Sequence, residues 1–312
     1  MRQRTRRLLS AFVSLLLLLI AVWAIRKALA GHHPREIVRS IMEIPPSQVG
    51  WALLLIGVNF LLVAAMDTIA AHFAGKRVSY FRMLVPSFIG ITIQYNAGFF
   101  GGSAMRYRLF SLLGLNAKQI AKMFLLFSLA FGVAFFLLTG VSLLLDPMEV
   151  SEHMAWWPKA MGVMLLAGCS MYFVLCARQK TLRIFHWKFT PPHLRASILQ
   201  VLLGSIDWIV EAGILYVLLP HEARMSFPIF VSVFMLAHNL GVLSNTPGGL
   251  GVFEATILHL LPTEIPASKI FGLLLAYRGL YYVLPLLLAV PLLGEQTVAI
   301  RSFRHDSGEK KR

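Results

Sequence analysis

Long apolar runs govern what this chain can fold into. Segments of 17–25 apolar residues recur along its 312 positions, and about 20 such residues cross a ~30 Å hydrocarbon core as an α-helix. In hydrocarbon every backbone N–H and C=O has to find its partner within the protein, and runs this long do so as helices. Only 14% of residues are charged and the mean hydropathy is +0.71, against about 25% charged in a soluble domain. An all-α polytopic membrane protein follows, with no length left for a soluble catalytic domain. The net charge of +15 could suggest nucleic acid, but the basic residues lie in short loops between apolar segments, the positive-inside pattern. Cys169 and Cys176 sit seven apart on one apolar segment, which places them on one helix face and suggests packing, not a disulfide or metal site.

One stretch breaks the helical pattern. Asn245-Thr246-Pro247-Gly248-Gly249-Leu250-Gly251-Val252-Phe253-Glu254 lies between two apolar segments, carries four helix-disfavouring residues among the five from Pro247 to Gly251, and ends on a carboxylate. Irregular backbone at membrane depth is tolerated only where it is buried in protein or lines a cavity. A carboxylate there costs ~2.5–3.5 kcal/mol and marks a functional site by default. The alternative is a glycine-rich kink that serves packing alone. An earlier stretch, Asn96-Ala97-Gly98-Phe99-Phe100-Gly101-Gly102-Ser103-Ala104-Met105-Arg106, echoes it, its asparagine 149 residues before Asn245. Broken apolar segments at matching places in two halves point to a transporter binding site. The Gly-Gly pair falls at different offsets from the asparagine in the two stretches.

The sequence predicts six full spans, near 8–27, 49–71, 119–145, 160–177, 197–219 and 268–294. The first could be read as a secretory signal, but its apolar run is too long and Arg26 and Lys27 intrude before Ala28-Leu29-Ala30. A short interfacial helix is expected within 28–48, and Trp156-Trp157 look like an interfacial belt. If the broken segments 83–105 and 228–261 each enter and leave on one side, both termini are cytoplasmic and 21 of 29 Lys+Arg face the cytoplasm. Full crossings would turn the basic runs 106–122 and 178–195 outward, against the positive-inside rule. Two re-entrant hairpins therefore join six spans. The result is one membrane domain over 1–305 with a basic tail at 306–312, and halves at about 1–148 and 149–305 forming an inverted repeat.

Several ionisable residues lie at depth. Arg278, within Tyr277-Arg278-Gly279-Leu280-Tyr281-Tyr282, is too deep to snorkel and should pair with Glu254, Asp207 or Glu211. Asp207 and Glu211 are four apart and share one helix face. These groups read either as a polar cavity for a headgroup and protons or as ion pairs that lock helices together. Asp67 is expected near a membrane surface in a solvated role. Arg106 suits bidentate contact with a lipid phosphate, whereas Arg108 fits ordinary positive-inside charge. His238, Asn239, His259 and Glu254 match no metal motif, and neither metal nor cofactor is expected. Gly101-Gly102-Ser103-Ala104 lacks the nucleophile elbow of a serine hydrolase.

Three motifs carry a resemblance: Gly101-Gly102-x-x-x-Arg106-Tyr107-Arg108-Leu109, Pro247 to Glu254, and Leu275-Ala276-Tyr277-Arg278-Gly279-Leu280-Tyr281-Tyr282-Val283-Leu284-Pro285. In that order they resemble the transmembrane region of the lysylphosphatidylglycerol synthase/flippase family, and within it the stand-alone YbhN-like (UPF0104) inner-membrane branch, over nearly the whole chain. The resemblance implies a bacterial cytoplasmic-membrane domain with re-entrant helices that moves lipids between leaflets. Arg106, Glu254 and Arg278 are the matching positions. Bifunctional members add a soluble aminoacyl-transferase domain after this region, so with the sequence ending at Arg312 lipid aminoacylation is not expected of it, nor is any other enzymatic activity. The expected site comprises Arg106, Asn245, Gly248, Gly249, Glu254, Arg278 and Tyr281 for lipid, with Asp207 and Glu211 as a proton or charge relay. No nucleotide-binding motif G-x-x-x-x-G-K-[ST] is present, so a lipid gradient or the proton motive force would drive movement. The expected partners are membrane phospholipids, with an envelope lipid-modifying enzyme and a second copy of the chain as further candidates and no nucleic acid. The alternative function is a non-transporting scaffold that binds lipid or a partner enzyme.

Overall fold

Where the sequence is continuously apolar the chain is helical. The structure is a computed structural model describing residues 34–145, 156–179, 182–184, 187–189, 191–220, 225–244, 249–261 and 265–293. The span expected at 8–27 and the basic tail lie outside the described residues. In chain order the helices are α1 (Pro34–Met42), α2 (Pro46–Phe73), α3 (Tyr80–Leu112), α4 (Ala117–Leu145), α5 (Trp156–Arg178), α6 (Leu194–Leu218), α7 (Phe227–Leu243), α8 (Val252–Leu260) and α9 (Ala267–Arg278). A π-helical turn, Gly279–Val283, follows α9, and the helix runs on to Leu293.

Five described helices are long and apolar enough to cross a membrane: α2, α4, α5, α6 and the extended α9. They coincide with five of the six spans expected from the sequence. The 28 residues of α2 reach about 42 Å at 1.5 Å per residue. Their outer faces carry Trp51, Leu54, Met164, Leu202, Leu287 and Val290, all more than half exposed. Apolar surface on that scale belongs against lipid. The short helix expected before the second span is α1, which packs against α9.

At the centre α2 lies along α6, and both contact α4. Small residues let the backbones approach. A Cβ on Gly204 of α6 would sit 3.1 Å from that of Ala134 on α4 and 3.4 Å from Met66 Cε on α2, the small-residue packing that replaces hydrophobic drive between helices in lipid. The basic loop between α5 and α6 departs from the all-helical expectation. It holds a small antiparallel hairpin, β1 (Leu182–Ile184) with β2 (Trp187–Phe189), in which Leu182 faces Phe189.

The two broken segments are helical hairpins. Gly98 interrupts α3 at φ 75°, ψ 178°, a conformation closed to residues with a Cβ. Beyond it the chain doubles back, because a Cβ on Gly102 would lie 2.2 Å from that of Gln94. In an unbroken helix residues eight apart are about 12 Å apart along the axis. The second hairpin pairs α7 with α8 in the same way. A Cβ on Gly249, itself at φ +65°, would lie 3.2 Å from Gly241 Cα. In both hairpins the facing pair is eight residues apart. Matching Gly102 to Gly249 also brings the two Gly-Gly pairs into register, so the mismatch counted from the asparagines belongs to the turn and not to the limbs.

Candidate functional site

Each hairpin delivers one charge into the protein. On the returning limb of α3, Arg106 is 3% exposed and forms an ion pair with Asp67 of α2. Its guanidinium also lies 4.5 Å from the ring centroid of Phe127 and 5.5 Å from those of Phe110 and Phe124, close enough for cation–π attraction. On α8, the second limb of the other hairpin, Glu254 is 4% exposed. It accepts from Arg278 Nε at 2.8 Å and Nη2 at 2.7 Å. Its other oxygen accepts the Gly251 N–H at 2.7 Å, closing the first turn of α8 where the helix dipole favours negative charge. Arg278 also lies 4.5 Å from the Tyr282 ring centroid.

Arg278 thus takes Glu254 from its three candidate acids. The expectation for Asp67 is overturned: it is fully buried and forms the counter-charge of Arg106. Its place six residues before the end of α2 at Phe73 suggested a solvated surface group. Arg106, arriving from the hairpin, covers that position instead.

A second polar group joins the halves. Asp207 and Glu211, on one face of α6 as their spacing predicts, are 0% and 2% exposed. Asn59 of α2 donates to Asp207 Oδ1 at 2.9 Å, and Tyr281 donates to Asn59 Oδ1 at 2.9 Å. With the Tyr281 proton used, Tyr95 is the donor in the 3.2 Å contact between the two hydroxyls. Tyr277 donates to Glu211 at 3.3 Å. Among the described residues the hydrogen-bond partners of these two carboxylates are neutral, unlike those of Asp67 and Glu254, although Arg278 lies near enough to Glu211 to attract it through space. Asp207 Oδ2 has no hydrogen-bond partner among the described residues.

The π turn sets this arrangement. By widening one turn it places Tyr281 against Asn59 and Tyr95, and it leaves the Tyr282 carbonyl to accept from Asn96 of the first hairpin at 3.2 Å. Single π turns recur at functional sites. Glu254 pairs with Arg278, Tyr281 reaches Asp207 through Asn59, and Tyr277 reaches Glu211, while Arg106 pairs separately with Asp67 and Gly249 packs on Gly241 in the second hairpin. Asn245 and Gly248 lie outside the described residues. His259 is exposed.

Beside the Arg106 pair is a cavity of about 510 Å³ between the first hairpin, α4, α6 and α7. Gln94, Tyr95, Ser103 and Arg106 line it from the hairpin, and Trp208, His238 and Asn239 from α6 and α7. Sequence reading missed Asp67, Asn59, Tyr95 and Trp208 as site residues. Asn59 and Asp67 had a signal, being polar groups that interrupt an otherwise apolar span. Tyr95 and Trp208 had none, since buried aromatics read as packing.

Comparison with known proteins agrees with these motifs. The profile of the lysylphosphatidylglycerol synthase transmembrane region matches residues 8–289. An uncharacterized protein of Synechocystis is 30% identical over 91% of this chain and 90% of its own length. The inner membrane protein YbhN of Escherichia coli is 30% identical over 76% of each chain. A phosphatidylglycerol lysyltransferase of Staphylococcus aureus is 23% identical over 90% of this chain, which spans 33% of that enzyme. With three motifs in order, a profile match over nearly the whole chain and full-length relatives, the chain belongs to the lysylphosphatidylglycerol synthase transmembrane-region family.

Proposed function

We propose that this chain is a lipid translocator that moves a phospholipid, anionic or modified, between the leaflets of a bacterial cytoplasmic membrane. One observation carries the reading. Two helical hairpins of like construction each end beside a buried arginine–carboxylate pair, and both border one polar core. Read as re-entrant, the hairpins dip from opposite faces of an inverted repeat with six spans and both termini in the cytoplasm. Broken helices of this kind hold the substrate and coupling-ion sites of transporters near the bilayer midplane.

In this reading the headgroup enters beside Arg106, passes between the hairpins and leaves near Glu254 and Arg278. The ion pairs give way in turn, each carboxylate holding its arginine while no headgroup is present. Asp207 and Glu211, whose hydrogen-bond partners among the described residues are neutral, are the groups able to take up a proton or a cation during the cycle. The family, and the phosphatidylglycerol in the names of its lysyltransferase relatives, support a lipid over a soluble solute. The chain acts as a transporter, not an enzyme.

The test is leaflet exchange of fluorescent phospholipids in vesicles holding the purified protein, wild type beside Arg278→Ala. Exchange by the wild type, lost in a variant that remains folded in the bilayer, is expected. Undiminished exchange by both Arg278→Ala and Glu254→Ala would sink the site. Absence of exchange with every headgroup, together with a stably co-purifying enzyme, would favour a scaffold instead.

A further inference from the structure

Four side chains from four segments form one line of hydrogen bonds. Tyr95 of the first hairpin donates to Tyr281 of the π turn at 3.2 Å, Tyr281 donates to Asn59 Oδ1 of α2 at 2.9 Å, and Asn59 Nδ2 donates to Asp207 Oδ1 of α6 at 2.9 Å. Every donor in the line points toward the carboxylate. Asn59, Asp207 and Tyr281 are no more than 1% exposed.

The carboxylate end is incomplete. Asp207 Oδ2 is buried without a hydrogen-bond partner among the described residues, and the group bonded to Oδ1 is a neutral amide. A desolvated carboxylate is costly without a counter-charge, and the described charges around it are committed elsewhere. On α6 itself, Glu211 is a second carboxyl that acts on Asp207 through space, and it takes the Tyr277 hydroxyl. Arg278 of α9 is bonded to Glu254 of α8, and Asp67 of α2 to Arg106 of α3. From α7, His238 packs on Trp208, the neighbour of Asp207 in sequence. Helix α4 meets Trp208 with Phe131 and Phe135, and its lysines lie in its first two turns. Helix α5 brings Tyr172 and Cys176 to Ser197, well before Asp207 along α6.

A proton completes this end. On the carboxyl it removes the charge and turns one oxygen into a donor. Asp and Asn side chains are roughly two-fold about their last torsion, so both turn end for end in the same space. The line then has a second arrangement. The Asp207 hydroxyl donates to Asn59 Oδ1, Asn59 Nδ2 donates to the Tyr281 oxygen, and Tyr281 donates to the Tyr95 oxygen. All three contacts are kept, with donor and acceptor exchanged. What changes is Tyr95: it becomes the acceptor, and its own proton needs a new partner. Tyr95 is among the residues lining the cavity beside Arg106, and it precedes Asn96, which holds the Tyr282 carbonyl.

We propose that Asp207 is a proton-binding site and that the hydrogen-bond line reverses when the proton binds, so that the charge state of α6 is read at Tyr95 on the first hairpin. A proton needs one oxygen, whereas a hard cation needs several, and the Asn59, Tyr281 and Tyr95 oxygens are already hydrogen-bonded. The proton comes from water and returns to it, and only O–H bonds are made or broken. The inference rests on the translocator reading for its use and narrows the proton-carrying role to Asp207, while the binding and the reversal do not require lipid movement.

The test is infrared difference spectroscopy of the full-length protein in lipid nanodiscs, stepped in pH at constant ionic strength. A carboxyl C=O band that is lost as pH rises is expected. It should move in protein grown on isotope-labelled aspartate, vanish in Asp207→Asn and persist in Glu211→Gln. The isotope shift needs no variant, so the assignment is read even if Asp207→Asn does not fold. In the same pH step the tyrosine C–O band, which differs between a donating and an accepting hydroxyl, should shift. That shift should be lost in Tyr95→Phe with the carboxyl band retained. Absence of a titrating carboxyl band, or one that ignores the label or survives in Asp207→Asn, overturns the site. A tyrosine band that stays still while Asp207 titrates, or moves unchanged in Tyr95→Phe, overturns the reversal. The same spectral change produced by sodium at constant pH overturns the proton as the ligand. Lipid exchange in vesicles under a pH gradient separates the two readings. Exchange by a protein whose Asp207 does not titrate sinks this inference alone, and reversal in a protein that exchanges no lipid sinks the translocator reading alone.

Discussion

Asp67→Ala isolates what the buried Arg106 pair contributes. The substitution leaves a guanidinium that is 3% exposed without its counter-charge. Breaking a buried pair from one side costs ~3–5 kcal/mol. Arg106 retains the Phe127 ring at 4.5 Å and Gln94 Oε1 at 3.5 Å, which together offset ~1 kcal/mol of that. A net loss of about 2–4 kcal/mol remains. At roughly 2–4 °C per kcal/mol for a large domain, the apparent melting temperature in detergent falls by about 4–16 °C, read by thermal challenge and size-exclusion chromatography. The decisive comparison is Asp67→Ala with Arg106→Met. Removing the stranded charge restores much of the loss, because the penalty lies in the uncompensated cation and not in the missing attraction. A melting temperature unchanged in Asp67→Ala, or a double variant no more stable than the single one, would refute the pairing and return Asp67 to a solvated role.

Two further expectations follow from the geometry. Gly102→Ala puts a methyl 2.2 Å from Gln94 Cβ and 2.4 Å from its Cα, which the first hairpin cannot absorb without opening. A loss of about 3 kcal/mol is expected by the same thermal assay, whereas Gly57→Ala on α2, with nothing within 4 Å, is neutral or gains up to ~1 kcal/mol. Tyr281→Phe removes the donor to Asn59 and the acceptor for Tyr95. It should cost about 1–2 kcal/mol and slow lipid exchange, and full stability with full exchange would place Tyr281 outside the site.

How much could be read in advance differs from residue to residue. The spans were legible because an apolar run long enough to cross hydrocarbon has essentially one way to satisfy its backbone. The hairpin at Gly98 was legible for a related reason, since glycines and a proline interrupt a run that otherwise continues. That Arg278 needs an acid followed from depth alone. Which acid did not, because Glu254, Asp207 and Glu211 are equivalent in sequence. Only the approach of α8 to α9 assigns Glu254 to Arg278 and leaves Asp207 and Glu211 to Asn59 and Tyr277.

Asp67 shows the limit most clearly. Its distance from a helix end suggests solvent when α2 is considered alone. The returning limb of α3 covers it, and nothing local to either segment encodes that contact. The π turn at Gly279 and the cavity beside Arg106 are of the same kind, each produced by several helices meeting. Local sequence determined that this chain is a bundle of membrane-length helices with two broken hairpins, because the solvent of each segment dictates its backbone. Tertiary packing decided which charges meet, which donors stay unpaired and where a ligand has room, because those depend on distances between segments far apart in the chain.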